Sequence, residues 1–249
     1  VRLIGSKGPS ILCLNGLTQT TANWTSTARL LAADQRQVVL TDLPGQGRSE
    51  PLRDTSPKAA AAHVVELLNA LDLERVDLIG FSFGGRVALD LIAEAPERLR
   101  SVVLVSTTLC PSPVAQLVVN EWQRALGDDD IESLGRSAMP WIIGDNLLDG
   151  ADVEAMVTAT VRRNSASGLK ALLEGLAHHQ PPPLETLDAN ILVVAGGRDR
   201  FALAADQRRG TQRFKRAILH VFEDLGHAVP VEDPPLFAAR VLRFLSEGR

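Results

Sequence analysis

Tyrosine is absent from this 249-residue chain, aromatic residues make up only 4% of it, and there are two cysteines and two methionines. Without tyrosine, no phenol is available to any mechanism. Cys13 and Cys110, both beside apolar residues, read as buried thiols in a reducing compartment. No C-x-x-C, H-E-x-x-H or EF-hand spacing occurs, so no metal and no other cofactor is expected. No apolar run approaches the roughly 20 residues that a membrane-spanning helix needs. Basic runs are missing too, and the net charge is −4, which gives no support for nucleic-acid binding. The chain opens Val1-Arg2-Leu3 with neither a Met nor an apolar leader segment. A cytoplasmic location is expected, and what precedes Val1 is left open.

What is there is 45% hydrophobic residues, enough for one large α/β domain or a core domain with an insertion. Short apolar runs read as buried strands: Ser10–Leu14, Val38–Leu40, Val76–Ile79, Val102–Val105, Ile191–Ala195 and Ala217–Phe222. Helical patterns alternate with them at Ala22–Ala33, from Ser56-Pro57 through Leu71, after Ser82, around Ala202–Gly210 and at Pro234–Leu245. Such alternation predicts parallel β-α-β units. Between Pro111 and Pro183 the rhythm stops. Helical segments are expected there at Val114–Leu126, Ile131–Ala138, Trp141–Leu148, Val153–Arg162 and Ser167–His178. The expected organisation is therefore a core of residues 1–110 and 184–249, with a helical lid, 111–183, inserted over the strand ends.

Chemistry concentrates at Gly80-Phe81-Ser82-Phe83-Gly84-Gly85. A strand runs into a G-x-S-x-G turn, and a helix follows. In that context a sharp turn pushes the serine hydroxyl out of the sheet edge, and small neighbours let the backbone close. Asp199, after Gly196-Gly197-Arg198, and His227, after Leu225-Gly226, also stand just beyond strands. In a parallel sheet all three share one edge. His227 would take and return the Ser82 proton, and Asp199 would fix the imidazole tautomer. Individually, His227 could be a loop histidine and Asp199 a helix cap. Asp224 is a rival acid, read instead as shaping its turn. Two backbone donors would complete the site: the N–H of Phe83, directly after the nucleophile, and that of Leu17, in the loop after the Ser10–Leu14 strand.

With Asp42-Leu43-Pro44-Gly45-Gln46-Gly47-Arg48-Ser49 added, these motifs make the chain resemble an α/β-hydrolase fold protein of the serine esterase and lactonase type over essentially its whole length. Its length and lid are similar to those of pimeloyl-carrier-protein methyl esterases and 3-oxoadipate enol-lactonases. The resemblance implies a mostly parallel sheet flanked by helices, and hydrolysis of a small carboxylic ester, lactone or thioester through an acyl-enzyme on Ser82. Relatives with an Asp nucleophile are disfavoured by Ser82, and epoxide hydrolases with lid tyrosines by the lack of any. Carbon–carbon bond hydrolysis, a biosynthetic cyclisation or rearrangement with the same triad, and a non-catalytic ligand-binding protein are the alternatives. One departure stands out: Asn15 occupies a position that is usually His in this superfamily, which bears on the geometry of the Leu17 loop. Phe81, Trp122, Met139, Trp141 and Met156 are candidates for the substrate pocket. His178-His179 reads as a helix end, because neighbours on a helix point about 100° apart and cannot easily share a metal. An acyl carrier protein is a conceivable partner. It is disfavoured because residues 111–183 hold ten acids against five bases, and an acidic carrier needs a basic face.

Overall fold

The structure is a computed structural model that describes residues 1–5, 8–33, 35–149 and 152–247. Seven strands form one sheet in the order β1-β3-β2-β4-β5-β6-β7. They are β1 (Arg2–Gly5), β2 (Ser10–Leu14), β3 (Gln37–Thr41), β4 (Val76–Phe81), β5 (Leu99–Val105), β6 (Ile191–Gly196) and β7 (Ala217–Phe222). All neighbours pair in parallel except β1, which runs antiparallel to β3 with Arg2 opposite Leu40. β1 lies beyond the expected strands. It is four residues long, on an edge and mostly exposed, so it lacks the apolar run that marks its neighbours.

Alternation along the strands divides the core into two layers. Leu12, Leu14, Leu78, Val102, Leu104 and Val193 point to one face, beneath α2 (Pro57–Ala70) and α3 (Phe83–Glu94). Ile11, Cys13, Ile79, Val103, Val105 and Val194 point to the other, beneath α1 (Thr25–Ala32) and the C-terminal helix. Burial pushes the Cys13 thiol pKa up, as expected of an inert core cysteine, whereas Cys110 is half-buried. Ser56 caps α2 by accepting from the Ala59 N–H at 3.1 Å, with Pro57 at the first helical position.

Between β5 and β6 come α4 (Pro113–Ala125), α5 (Ile131–Ile142), α6 (Asp145–Leu148), α7 (Val153–Arg163) and α8 (Ala166–His178). Four of these start on a side-chain cap from Ser112, Asp130, Asp152 or Ser165. Asp130 and Asp152, part of the acidic excess of this segment, thus serve helix starts. The segment differs from expectation at Pro140. Rather than stopping there, α5 runs through it to Ile142. Proline removes one N–H from the helix, while buried Met139 and Ile143 hold the following turn in place. The expected helix Trp141–Leu148 is accordingly split between the end of α5 and α6. The chain closes with α9 (Ala204–Thr211), α10 (Val229–Glu232) and α11 (Pro234–Glu247). Among the described residues, no helix is long and apolar enough to cross a membrane.

Strand order explains where a site can form. From β2 the chain moves to β3 on one side, and from β4 it moves to β5 on the other. The carboxyl ends of β2 and β4 therefore flank a topological switch point, where open α/β sheets leave a crevice.

Candidate active site

Ser82 stands at that switch point. Its N–H extends the ladder by donating to Val105 O at 2.8 Å, and α3 begins at the next residue. Its backbone has φ 50° and ψ −108°, a conformation that costs a non-glycine residue about 1–3 kcal/mol. The neighbours permit the turn by being small. A Cβ on Gly80 would sit 2.6 Å from Gly84 O, and one on Gly84 would sit 2.5 Å from Leu14 O.

Three side chains from three strand ends meet here. Ser82 Oγ lies 3.0 Å from His227 Nε2, and His227 Nδ1 lies 2.8 Å from Asp199 Oδ2. The His227 and Asp199 side chains are buried. The second Asp199 oxygen accepts from the Phe201 and Ala202 N–H groups, each at 2.8 Å. Those two bonds lock the carboxylate in place, and Asp199 also caps its own turn. Asp224 lies elsewhere, in an exposed pair with Arg198 at 2.7 Å. Aromatic rings hold the imidazole: Phe81 is 5.3 Å from it, and Phe201 is 5.4 Å away, edge-on.

The Leu17 loop is braced by Asn15. Its buried Nδ2 lies 3.0 Å from Thr41 O, 3.1 Å from Asp42 Oδ1 and 3.1 Å from Gln46 Oε1. Gln46 Nε2 in turn donates to Gly16 O at 2.8 Å. Asn15 thus ties the end of β2 to the loop after β3. Gly16 abuts the Phe81 ring, and a Cβ placed on it would be 3.6 Å from Ser82 Cβ. Among the described residues, neither the Leu17 N–H nor the Phe83 N–H donates to a protein acceptor.

Glu232 is a site residue that no sequence pattern marked. Its carboxylate accepts from the N–H groups of Gly226 at 2.7 Å and Ala228 at 3.0 Å, on both sides of His227, and from Gly144 at 3.1 Å. One side chain therefore fixes the histidine loop and fastens it to the segment after α5. In Glu232→Gln, one oxygen becomes an NH2 facing N–H donors. We expect kcat to fall about tenfold or more, the equivalent of one charged hydrogen bond. The drop should exceed any change in KM, as steady-state kinetics on an activated ester would measure.

Two cavities open on Ser82. The smaller, about 290 Å³, is walled by Leu17, Phe81, Trp122, Met139, Met156 and other apolar side chains, with His227 at its edge. The larger, about 740 Å³, runs past Phe83, Arg86, Cys110 and the Pro181–Pro183 stretch. Trp141, expected in the pocket wall, lines neither. It is half-buried and packs against the core layer that holds Leu134 and Ala138. Two residues beyond Met139 on one helix, it points about 200° away. Phe201 was missed by sequence reasoning, yet it lines the larger cavity and stacks on Trp122 at 5.1 Å.

Comparison with known proteins agrees with this architecture. The alpha/beta hydrolase fold family model matches residues 9–234, and the chain belongs to that family. It is 28% identical over 237 residues to a 2-hydroxymuconate semialdehyde hydrolase of Pseudomonas sp. (strain CF600), covering 91% of this chain and 82% of the relative. Among solved structures, a thermophilic esterase from Thermogutta terrifontis superposes with a TM-score of 0.89 at 21% identity, over 99% of this chain and 92% of the other. The enol-lactonase from Burkholderia xenovorans LB400 superposes with a TM-score of 0.88 at 22% identity, over 98% and 95%. The family and its hydrolase relatives make this protein an enzyme of the hydrolase type.

Proposed function

We propose that the enzyme cleaves a small carboxylic ester, lactone or thioester through an acyl-enzyme on Ser82. The observation that carries this reading is the unbroken chain Ser82–His227–Asp199, at 3.0 and 2.8 Å. His227 accepts the Ser82 proton as Oγ attacks the carbonyl carbon, then returns it to the leaving oxygen or sulfur. Asp199 holds the proton of Nδ1 in place and stabilises the imidazolium. The Leu17 and Phe83 N–H groups, free of acceptors among the described residues and beside Ser82, receive the oxyanion. Water, activated by the same histidine, then releases the acid. The helices of residues 111–183 act as a lid, since α4, α5 and α7 supply Trp122, Met139 and Met156 to the apolar wall. A small free substrate suits a 290 Å³ apolar pocket, and the acid majority of the lid disfavours a carrier protein as its bearer.

The test is covalent labelling by a fluorophosphonate. Wild type should label stoichiometrically on Ser82. A folded wild type that does not label would remove the nucleophile from this account and favour a ligand-binding role. Carbon–carbon bond hydrolysis is a second reading, favoured by the 28% identity to a 2-hydroxymuconate semialdehyde hydrolase. Product identification across esters, lactones and 2-hydroxymuconate semialdehyde separates the two.

A further inference from the structure

We propose that the larger cavity is a subsite for a substrate carboxylate, received by the Arg86 guanidinium one helical turn behind Ser82. The inference rests on reading Ser82 as the nucleophile and adds the kind of substrate it attacks. Ser82 is the cap of α3 and Arg86 lies on its first turn: the Arg86 N–H donates to Ser82 O at 3.3 Å. That places the two backbones about 6 Å apart along the axis, and both residues line the same cavity.

How Arg86 is held matters more than where it is. Its Nε donates to His179 Nδ1 at 3.0 Å, one terminal nitrogen to His179 O at 3.2 Å, and the other to Thr108 O at 2.9 Å. His179 Nε2 lies 2.7 Å from Asp90 Oδ2, and these two side chains are only 4% and 9% exposed. Because Nδ1 accepts from Arg86, the ring carries its proton on Nε2, donates it to Asp90 and is neutral. Arg86 is therefore gripped by three uncharged acceptors. Asp90, one turn further along α3, bonds the imidazole and also acts on Arg86 through space, opposing the effect of burial on its pKa. Among the described residues no carboxylate is in ion-pair contact with Arg86. A guanidinium has five N–H donors; three are used, so two are left.

Burying a cation without a direct counter-charge is costly. Burial pushes its pKa down to about 10, which still leaves it charged at neutral pH. A clamp between the end of α8 and the loop after β5 needs only the three bonds already made. The remaining donors, on a guanidinium with no directly bonded carboxylate, fit a planar anion that arrives with the substrate. Other cations near Ser82 do not offer this. Arg213, at the rim of the same cavity, is already paired with Glu185 at 3.0 Å. Arg163, bordering the smaller cavity, is exposed, where solvent screens its charge. The substrate class is thus an ester, lactone or thioester bearing a carboxylate a few bonds from the scissile carbonyl.

Selectivity between methyl hydrogen glutarate and methyl butyrate tests the proposal. Wild type should prefer the anionic ester by tenfold or more in kcat/KM, and glutarate, but not glutaramide, should slow fluorophosphonate labelling of Ser82. In Arg86→Gln the preference should collapse by about tenfold to hundredfold, mainly through KM, the size expected for a hydrogen bond to a charged group. Arg86→Lys should retain part of it. A wild type without the preference overturns the subsite, and so does an Arg86→Gln that loses both activities alike and only lowers Tm. Should Arg86→Gln fail to fold, wild-type selectivity and glutarate protection decide on their own. Failure of the hydrolase reading is distinguishable: wild type would not label, while glutarate would still bind Ser82→Ala in calorimetry if the subsite is real.

Discussion

Ser82→Ala is expected to lower kcat/KM by about 10⁴–10⁶-fold, the range found when the nucleophile of other triads is removed, and to abolish fluorophosphonate labelling. The size follows from what the substitution takes away. Alanine deletes the Oγ that lies 3.0 Å from His227 Nε2 and with it the proposed acyl-enzyme path. The rest of the site stays: the Leu17 and Phe83 N–H groups, the Asp199–His227 pair and both cavities. Residual turnover would then come from water attacking a bound, polarised carbonyl. The fold should survive, because alanine keeps the Cβ at a position with φ 50°, and a polar atom is removed rather than introduced. Ser82→Gly makes a useful companion. It should be equally inactive yet have the higher Tm, since glycine relieves backbone strain that serine and alanine both bear. Substantial turnover of an ester by purified Ser82→Ala would show that some other group attacks the substrate.

The sheet was legible because five of its strands are buried apolar runs bounded by turns, and β7, though mostly half-buried, carries the same apolar pattern. β1 was not, since an exposed edge strand of four residues has no such run. The candidate triad was readable for a topological reason. Residues just past strands in a parallel sheet share an edge whatever lies between them in sequence, so Ser82, Asp199 and His227 could be grouped from separations of 28 to 145 residues. The supporting contacts have no comparable rule. Asn15 meets Gln46, Glu232 meets Gly144, and Arg86 meets His179 across 31, 88 and 93 residues, through loops whose paths sequence does not fix. His178-His179 carried half a signal. Adjacent helix positions diverge, and in the structure His178 is exposed while the His179 side chain turns inward onto Asp90 and Arg86. Divergence could be foreseen; the buried partner could not.

The acid is decided by a comparison of two isosteric variants. Asp199→Asn is expected to cost on the order of 10⁴ in kcat, as in triads whose aspartate is amidated, whereas Asp224→Asn should stay within about threefold of wild type, the fate of most exposed ion pairs. Backbone donors dictate the first result. Two N–H groups, from Phe201 and Ala202, point at one oxygen of residue 199. An asparagine there must keep its carbonyl oxygen on those donors, because the alternative sets an NH2 against two N–H groups in a buried site. Its NH2 is then forced toward His227 Nδ1. That nitrogen can only accept, so the imidazole proton moves to Nε2, the atom facing Ser82. A histidine protonated there cannot take the serine proton, and the hydroxyl loses its base while every heavy atom stays near its place. Fluorophosphonate labelling should slow along with turnover in Asp199→Asn, and Tm should change little beside the loss of rate. If Asp224→Asn proves the more damaging, then the exposed pair with Arg198 must open in the working enzyme and the orienting role passes to Asp224.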